Sequence, residues 1–402
     1  PVTLWRRLLL NFNMNSILRK TAYQLHLWLG LTSGLIVVIM AVTGCILAFE
    51  KELKHAIHPE KYFVKTIKKE KLPFSDLKLK AEQALPDSLK VNRVEISSDP
   101  SRSYAFRSLK MNEEALTYWG TYLHYYRVYV DPYTGKVLEV ENAKNDFFEI
   151  VMDLHRRLLL GEKIGKTITG YSTLILAIML VSGLVIWYPR KMNKKALKSM
   201  FLIKASAKWK RINYDMHNVL GFYAVIPLLL ITFSALIWNF EGFDKWVKQT
   251  LNGKAKTEQK AKSTVPAEKL SDAKNILDIV GNRVEKSLTD KESALITFPK
   301  KEEGTYYAEV TYGNKQYQNE QFNFDQYSGK VLKHQLYNDK NIGYGSALRA
   351  RNYDLHMGSI FGMTGRILYL FAGMIAASLP ITGFIIYLNR KKKKAKKKKV
   401  KV

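Results

Sequence analysis

The sequence predicts an α-helical integral membrane protein, with four transmembrane helices in a parallel two-fold internal repeat and two extracytoplasmic α/β domains. Three observations predict this class: four long apolar blocks with no charge inside them, basic residues gathered where those blocks define one side, and a self-similarity running through the chain. The blocks are Leu25–Phe49, Ile168–Tyr188, Val219–Phe240 and Ile367–Leu388. Each approaches the roughly 20 residues that cross a hydrocarbon core of about 30 Å, whereas buried helices of a water-soluble protein are shorter and more amphipathic.

The net charge of +29 suggests nucleic acid until its distribution is considered. Basic residues crowd the N-terminal arm (Arg6, Arg7, Arg19, Lys20), the link from Arg190 to Arg211, and the tail after Arg390. Four spans put all three segments on one side, so both termini and the short middle loop are expected in the cytoplasm. The Lys-rich tail then reads as an anchor on anionic membrane lipid, with no nucleic-acid partner. The layout expected is a cytoplasmic arm and first span in residues 1–50, a first outer domain in 51–150, and an interfacial helix, second span and basic loop in 151–213. The third span follows in 214–241, a second outer domain in 242–345, and an interfacial segment, fourth span and tail in 346–402. Cys45 is the single cysteine, so the outer domains must fold without an internal disulfide. VTGC (42–45) also resembles a lipoprotein cleavage site, but the apolar run before it is long for a signal peptide.

The repeat is read by laying the chain on itself. YQLHLWLG (23–30) recurs as YDMHNVLG (214–221), DLH (153–155) as DLH (354–356), and Ser182-Gly183 as Thr382-Gly383. Thr43, Phe49 and Glu50 match Ser234, Phe240 and Glu241, and DPYTGKVL (131–138) matches DQYSGKVL (325–332). Both copies enter from the same side, so the repeat axis lies along the membrane normal. In the first outer domain the spacing predicts a helix over Ser75–Leu85 and strands over Val91–Ile96, Tyr104–Leu109, Tyr118–Val130 and Lys136–Val140, with a tight turn at Pro132–Gly135. In the second it predicts a helix over Ala267–Val284 and strands over Leu295–Phe298, Tyr306–Tyr312, Gln316–Phe324 and Lys330–Tyr337. The run Lys254–Lys262 reads as a mobile linker.

Four of the eight histidines occupy matching positions at the ends of spans. His26 and His217 stand where the first and third helices begin, His155 and His356 just before the second and fourth. Within one copy most of the bilayer separates the two, so they cannot share a metal; across copies they can. Two sites are therefore expected, His26 with His217 near the cytoplasmic face and His155 with His356 near the outer face, on the order of 20 Å apart at about 1.5 Å per helical residue. Two imidazoles from facing helices are the axial donor set of a b-type haem iron, giving two haems per chain. Gly30, Gly34, Gly44, Gly161, Gly165, Gly221, Gly362 and Gly365 either admit a flat macrocycle or serve helix packing. His55 and His58 form an HxxH that either helps to bind a metal or iron complex or is solvated loop; His124 and His334 read as strand residues. The aromatic run Tyr118, Trp119, Tyr122, Tyr125, Tyr126 and Tyr129 is either a ligand platform or sheet packing. No catalytic nucleophile, P-loop or dinucleotide fingerprint is found, so an electron donor would be a separate protein or a quinol.

The segments LHLWLGLTSGLIVVIMAVTG, DLHRRLLLGEKIGKTITG, WKRINYDMHNVLGFYA and DLHMGSIFGMTGRILYLFAGMIAASLPITGF resemble the PepSY-associated transmembrane helix family, and DPYTGKVL and DQYSGKVL resemble PepSY domains. The resemblance implies a multi-pass protein of the bacterial inner membrane with two periplasmic PepSY-like domains, linked to iron uptake. Members include b-haem siderophore reductases, which makes His26, His155, His217 and His356 the haem-ligand candidates and a ferric siderophore the electron acceptor. A haem-dependent oxidoreductase is thus expected. The main rival is a cofactor-free scaffold whose PepSY domains bind a partner protein or peptide. A transporter is disfavoured, because no charge lies within the spans.

Overall fold

The computed structural model describes residues 16–86, 89–189, 192–252, 261–265, 273–288, 292–313, 315–336 and 343–399. The chain begins with α1 (Ser16–Leu47), followed by α2 (Glu50–Ile57), α3 (Pro59–Tyr62) and α4 (Phe74–Gln83). Strands β1 (Arg93–Ser97) and β2 (Tyr104–Met111), the turn α5 (Tyr118–Thr121), and strands β3 (Tyr122–Val130) and β4 (Val137–Asn142) come next. The chain returns through α6 (Phe147–Arg157) and α7 (Glu162–Trp187), then α8 (Lys194–Phe201) and α9 (Trp209–Asp215). A π-turn over Met216–Leu220 joins α9 to α10 (Gly221–Asn239). The second half continues with α11 (Glu241–Asn252), α12 (Ala273–Ser287), β5 (Glu292–Thr297), β6 (Thr305–Tyr312), β7 (Asn319–Asp325) and β8 (Val331–Leu336). It ends with α13 (Tyr344–Ala350), α14 (Asn352–Met357) and α15 (Gly362–Lys399).

Four helical segments are long and apolar enough to cross a membrane: Ser16–Leu47, Glu162–Trp187, Trp209–Asn239 and Ser359–Lys393, with mean hydropathy between 1.8 and 2.3. All but Glu162–Trp187 overrun the expected blocks on the charged side, because helix geometry continues into flanking turns whose Lys and Arg reach polar surroundings. α1 packs on α7 and α15, and α10 packs on the same two, so the spans form a four-helix ring. Small hydroxyl residues, Ser33, Thr43, Thr173, Ser182, Ser234 and Thr382, are buried beside an apolar cluster that includes Leu180 and Leu228, while Leu35, Ile178, Val181, Ile226, Phe371 and Ile381 are exposed. That inversion suits hydrocarbon, where apolar side chains face solvent and close helix contacts use small residues. The buried hydroxyls are satisfied by their own helices, as with Ser33 Oγ to Leu29 O at 2.8 Å and Thr173 Oγ1 to Thr169 O at 2.8 Å.

The segments outside the ring form one antiparallel sheet in the order β4-β3-β2-β1-β5-β6-β7-β8. Sequence reading separates two small domains; the structure joins them along β1 and β5, with Val94 opposite Ile296 at the seam. One face of all eight strands is apolar and is covered by α4 and α12, giving a shared core that includes Phe74, Leu77, Val94, Phe106, Val280 and Ile296. The two helices are tied together by Asp278, which accepts from Ser75 N at 2.8 Å and Ser75 Oγ at 2.7 Å. The two DxYxG segments make the expected turns: Gly135 and Gly329 have φ of +69° and +67°, and the Asp131 and Asp325 carboxylates accept the turn amides.

Several boundaries differ from expectation. The strand expected over Tyr118–Val130 starts at Tyr122, because Thr117 caps a helical turn by accepting from Gly120 N. The strand expected from Gln316 starts at Asn319, after a turn closed by Gln318 N to Lys315 O at 3.1 Å. The helix expected over Ala267–Val284 is described from Ala273; residues 267–272, residues 254–260 of the Lys-rich run, the arm before Ser16, residues 190–191 and Tyr337 lie outside the described residues.

Candidate functional site

The structure brings together His26 with His217, and His155 with His356. Both pairs have ring centres 6.3 Å apart, with the planes at 88° and 69°. Each ring is held by the helix beside it in one repeated way. His26 Nδ1 lies 3.1 Å from Met179 O and 3.1 Å from Ser182 Oγ on α7. His155 Nδ1 lies 2.8 Å from Met40 O and 3.0 Å from Thr43 Oγ1 on α1. His356 Nδ1 lies 3.2 Å from Ile231 O and 3.0 Å from Ser234 Oγ on α10. His217 Nδ1 lies 2.9 Å from Thr382 Oγ1 on α15, where it also meets the Leu379 carbonyl.

These contacts settle which nitrogen carries the proton. All four hydroxyls donate into their own helices: Ser182 to Met179 O, Thr43 to Ile39 O and Met40 O, Ser234 to Leu230 O and Ile231 O, and Thr382 to Ser378 O and Leu379 O. They can only accept from the imidazole, as can the carbonyls. Every Nδ1 is therefore a donor and every Nε2 keeps a free lone pair, the state in which histidine binds a metal. The residue after each hydroxyl leaves room for the ring. A Cβ on Gly183, Gly383 or Gly44 would stand 3.3, 3.2 or 3.1 Å from the Cε1 of His26, His217 or His155. At the fourth position Ala235 takes this place.

The histidine positions have local causes. His217 lies on the π-turn, a distortion that turns side chains out of the α-helical phase and is frequent at functional sites. His155 and His356 stand before the second and fourth spans, on α6 and α14. α6 lies along α1 and α14 along α10, which sets these rings against the spans. The chain reverses after α6 through Leu158 and Leu159, at φ of +57° and +59°, and after α14 through Gly358 at +74°. Asp354 accepts from Ser359 Oγ and from Tyr317 N at 2.9 Å, which pins α14 two residues before His356; Asp153 pairs with Arg157 within α6 itself. In the second half two asparagines reinforce the clasps: Asn213 Nδ2 donates to Thr382 O at 3.1 Å and Asn352 Nδ2 to Ser234 O at 2.9 Å.

Along α1, the span from His26 to Gly44, which touches His155, is about 27 Å at 1.5 Å per residue. Around the first pair lies a largely apolar cavity lined by Gly30, Gly34, Leu180, Gly221, Phe222 and Leu379, with Tyr23 and Arg390 also on its wall. Arg390 Nη1 donates to Tyr23 Oη at 2.6 Å. Gly30 and Gly34 line the cavity, and their close neighbours are Met179 and Pro380.

A metal held by two imidazoles at about 2.0–2.1 Å each, with roughly 1.1 Å from nitrogen to ring centre, sets the ring centres about 6.3 Å apart. The ring-centre distance of each pair equals that of two imidazoles in line on opposite sides of one ion. Among the described residues no group of three or more His, Cys, Asp or Glu could hold a metal, so any further coordination positions would have to be filled by something other than these side chains.

A comparison with known families decides the membership. The family described as PepSY-associated TM region matches residues 23–390. The chain belongs to that family. No curated protein matches it. The four spans with the matched region make this family member a multi-pass membrane protein.

The other candidates separate clearly. His55 and His58 have separate partners: His55 meets Tyr62 at a tilt and Phe63 edge-on with Arg102 Nη1 2.9 Å from its Nε2, and His58 meets Glu60. His124 lies in β3, and His334 stacks on Phe322 and meets Glu320. Tyr118, Tyr122, Tyr125 and Tyr129 are buried packing residues and not an open platform; Trp119 is exposed. Burial, followed by the Arg102 charge, holds the His55 pKa down at about 4. An unfolded chain protonates this ring near 6.5, so between those values the unfolded state binds the extra proton and stability falls as pH drops. Thermal unfolding of purified protein at pH 7 and pH 5 is therefore expected to show an acid-induced loss that is smaller in His55→Gln; equal losses would remove this assignment.

Proposed function

We propose that this protein carries electrons across the bacterial inner membrane through two b-type haems, one on His26 and His217 and one on His155 and His356, and reduces a ferric siderophore in the periplasm. In this reading the halves are a parallel repeat, the sheet is built from two periplasmic PepSY-like domains, and the termini and basic loop are cytoplasmic. The observation that carries it is the pair geometry: both imidazole pairs have the spacing of a shared metal, and all four rings are locked with Nε2 free.

Haem, if bound, would supply a one-electron ferric/ferrous couple, and His26, His217, His155 and His356 are the residues that would hold it. The protein's part is orientation and exclusion of water. The serine and threonine clasps fix the rings before anything binds, so little freedom is lost on binding. Leu180, Phe222 and Leu379 keep the first site apolar, while Arg390 on its wall offers a cation to a carboxylate. The donor would be a cytoplasmic reductase or a quinol.

The test is a visible spectrum of the detergent-purified protein before and after dithionite, with haem quantified per chain. A sharp reduced band and two haems per chain are expected. A protein that stays colourless after expression with added haem would sink this reading and leave the scaffold for a partner protein.

A further inference from the structure

The sheet face turned away from α4 and α12 carries a row of arginines. Reading directly across neighbouring strands, Glu141 faces Arg127, Arg127 faces Arg107, and Arg107 faces Arg93. Like charges directly opposite in a sheet repel, so three in succession require compensation. Arg127 has it, in contacts with Glu149 and with Glu141 at 3.4 Å. Arg93 and Arg107 have no carboxylate in contact; Glu149, already held by Arg127, acts on Arg107 only at longer range. Arg93 Nε donates to Thr297 Oγ1 at 3.1 Å, and Arg107 donates to Asn92 Oδ1 at 3.3 and 3.2 Å. Both are half-buried, and among the described residues neither has a carboxylate within ion-pair distance. Burial first, then the neighbouring Arg93 charge, pushes the Arg107 guanidinium down to about 10.

The fold does not demand these arginines. Aligning the two DxYxG turns sets Val130 level with Phe324; the strand registers then match Arg127, Arg107 and Arg93 with Gln321, Glu309 and Leu295. The second half builds the same strands with no cation at any of the three. The row also lies close to the second histidine pair. Glu149, the partner of Arg127, is on α6, and His155 follows six residues later, about 9 Å along the helix.

We infer that Arg93 and Arg107 form the docking site for a net-negative ferric chelate whose carboxylate oxygens bridge the two guanidinium groups. Arginine's planar fork suits carboxylate oxygens, and a bridging anion replaces mutual repulsion with charge-assisted hydrogen bonds. This assignment rests on the electron-transfer reading for its acceptor and narrows that acceptor to the anionic class.

The test uses a redox-inert probe, gallium(III) citrate, titrated calorimetrically onto the full purified chain at low salt. Binding at least tenfold weaker in R93Q/R107Q is expected, with wild-type affinity falling as NaCl is raised. The single variant R107Q, which leaves the β1–β5 seam untouched, is expected to lose a smaller factor, and an unchanged visible spectrum certifies folding. An uncharged gallium(III) trihydroxamate should bind the variants and wild type alike. Equal citrate affinity in wild type and R93Q/R107Q, or no binding to wild type, would overturn the inference. Haem content read on the same samples separates the two ideas: a protein with haem but no arginine-dependent binding loses only this site. A colourless protein that binds the probe through the arginines loses only the electron-transfer reading.

Discussion

Replacing His155 with alanine is expected to lower bound haem from two per chain to one, and replacing His26 is expected to do the same while sparing the other site. The reason is the separation of the pairs. His155 and His356 share one level, His26 and His217 the other, with about 27 Å of α1 between them, so neither pair can borrow a ligand from the other. Ring loss leaves the Met40 carbonyl and Thr43 hydroxyl without their donor, but Thr43 still bonds to Ile39 O at 2.7 Å. The fold should tolerate that at a cost of about 1–2 kcal/mol. Haem quantified against protein mass, with circular dichroism to verify folding, reads the outcome. The double variant His26→Ala/His155→Ala should be colourless. Two haems retained in either single variant would mean that the imidazole pairs are not the ligands.

The difference between what the sequence disclosed and what it hid has a physical basis. Spans are legible because hydrocarbon demands an uninterrupted apolar run. The histidine pairs are legible because similar sequence segments place His26 and His217, and His155 and His356, at matching ends of apolar runs. The Gly135 and Gly329 turns are legible because a local motif determines a local geometry. Interactions that depend on register are not. Nothing in Val94 or Ile296 marks them as partners across a seam, since a strand that meets another half has the same alternation as one that meets its own. The arginine row is invisible for the same reason: Arg93, Arg107 and Arg127 are widely spaced in sequence and align only once the strands are paired. The imidazole clasps sit between these cases. A Ser or Thr followed by Gly or Ala stands in every span, at 43–44, 182–183, 234–235 and 382–383, and its match across the copies is readable. Its role is not, because each such step serves a histidine from a different part of the chain.

That clasp leads to the second large effect. Thr382→Val keeps the shape and the β-branch but removes the oxygen that accepts from His217 Nδ1 at 2.9 Å. The Leu379 carbonyl still meets the ring, so the histidine stays in place with a weaker acceptor behind it. Groups that orient a metal-bound histidine typically contribute about 10–100-fold in affinity. Haem at the His26 and His217 site should therefore pass to an added haem scavenger about 10-fold or more faster, while the other site keeps its rate. The reduction potential of that site should also rise, because a less strongly hydrogen-bonded imidazole is the poorer donor to ferric iron. Ser234→Ala should produce the complementary pattern at the His155 and His356 site, where Ser234 Oγ lies 3.0 Å from His356 Nδ1. Gly383→Leu distinguishes orientation from simple packing. Its first carbon alone would stand 3.2 Å from His217 Cε1, so the ring must move and the site should lose its haem outright. If Thr382→Val and Gly383→Leu gave the same partial loss at both sites, the clasp would be ordinary helix packing. A graded loss confined to one site is what a hydroxyl that sets the imidazole's proton and direction requires.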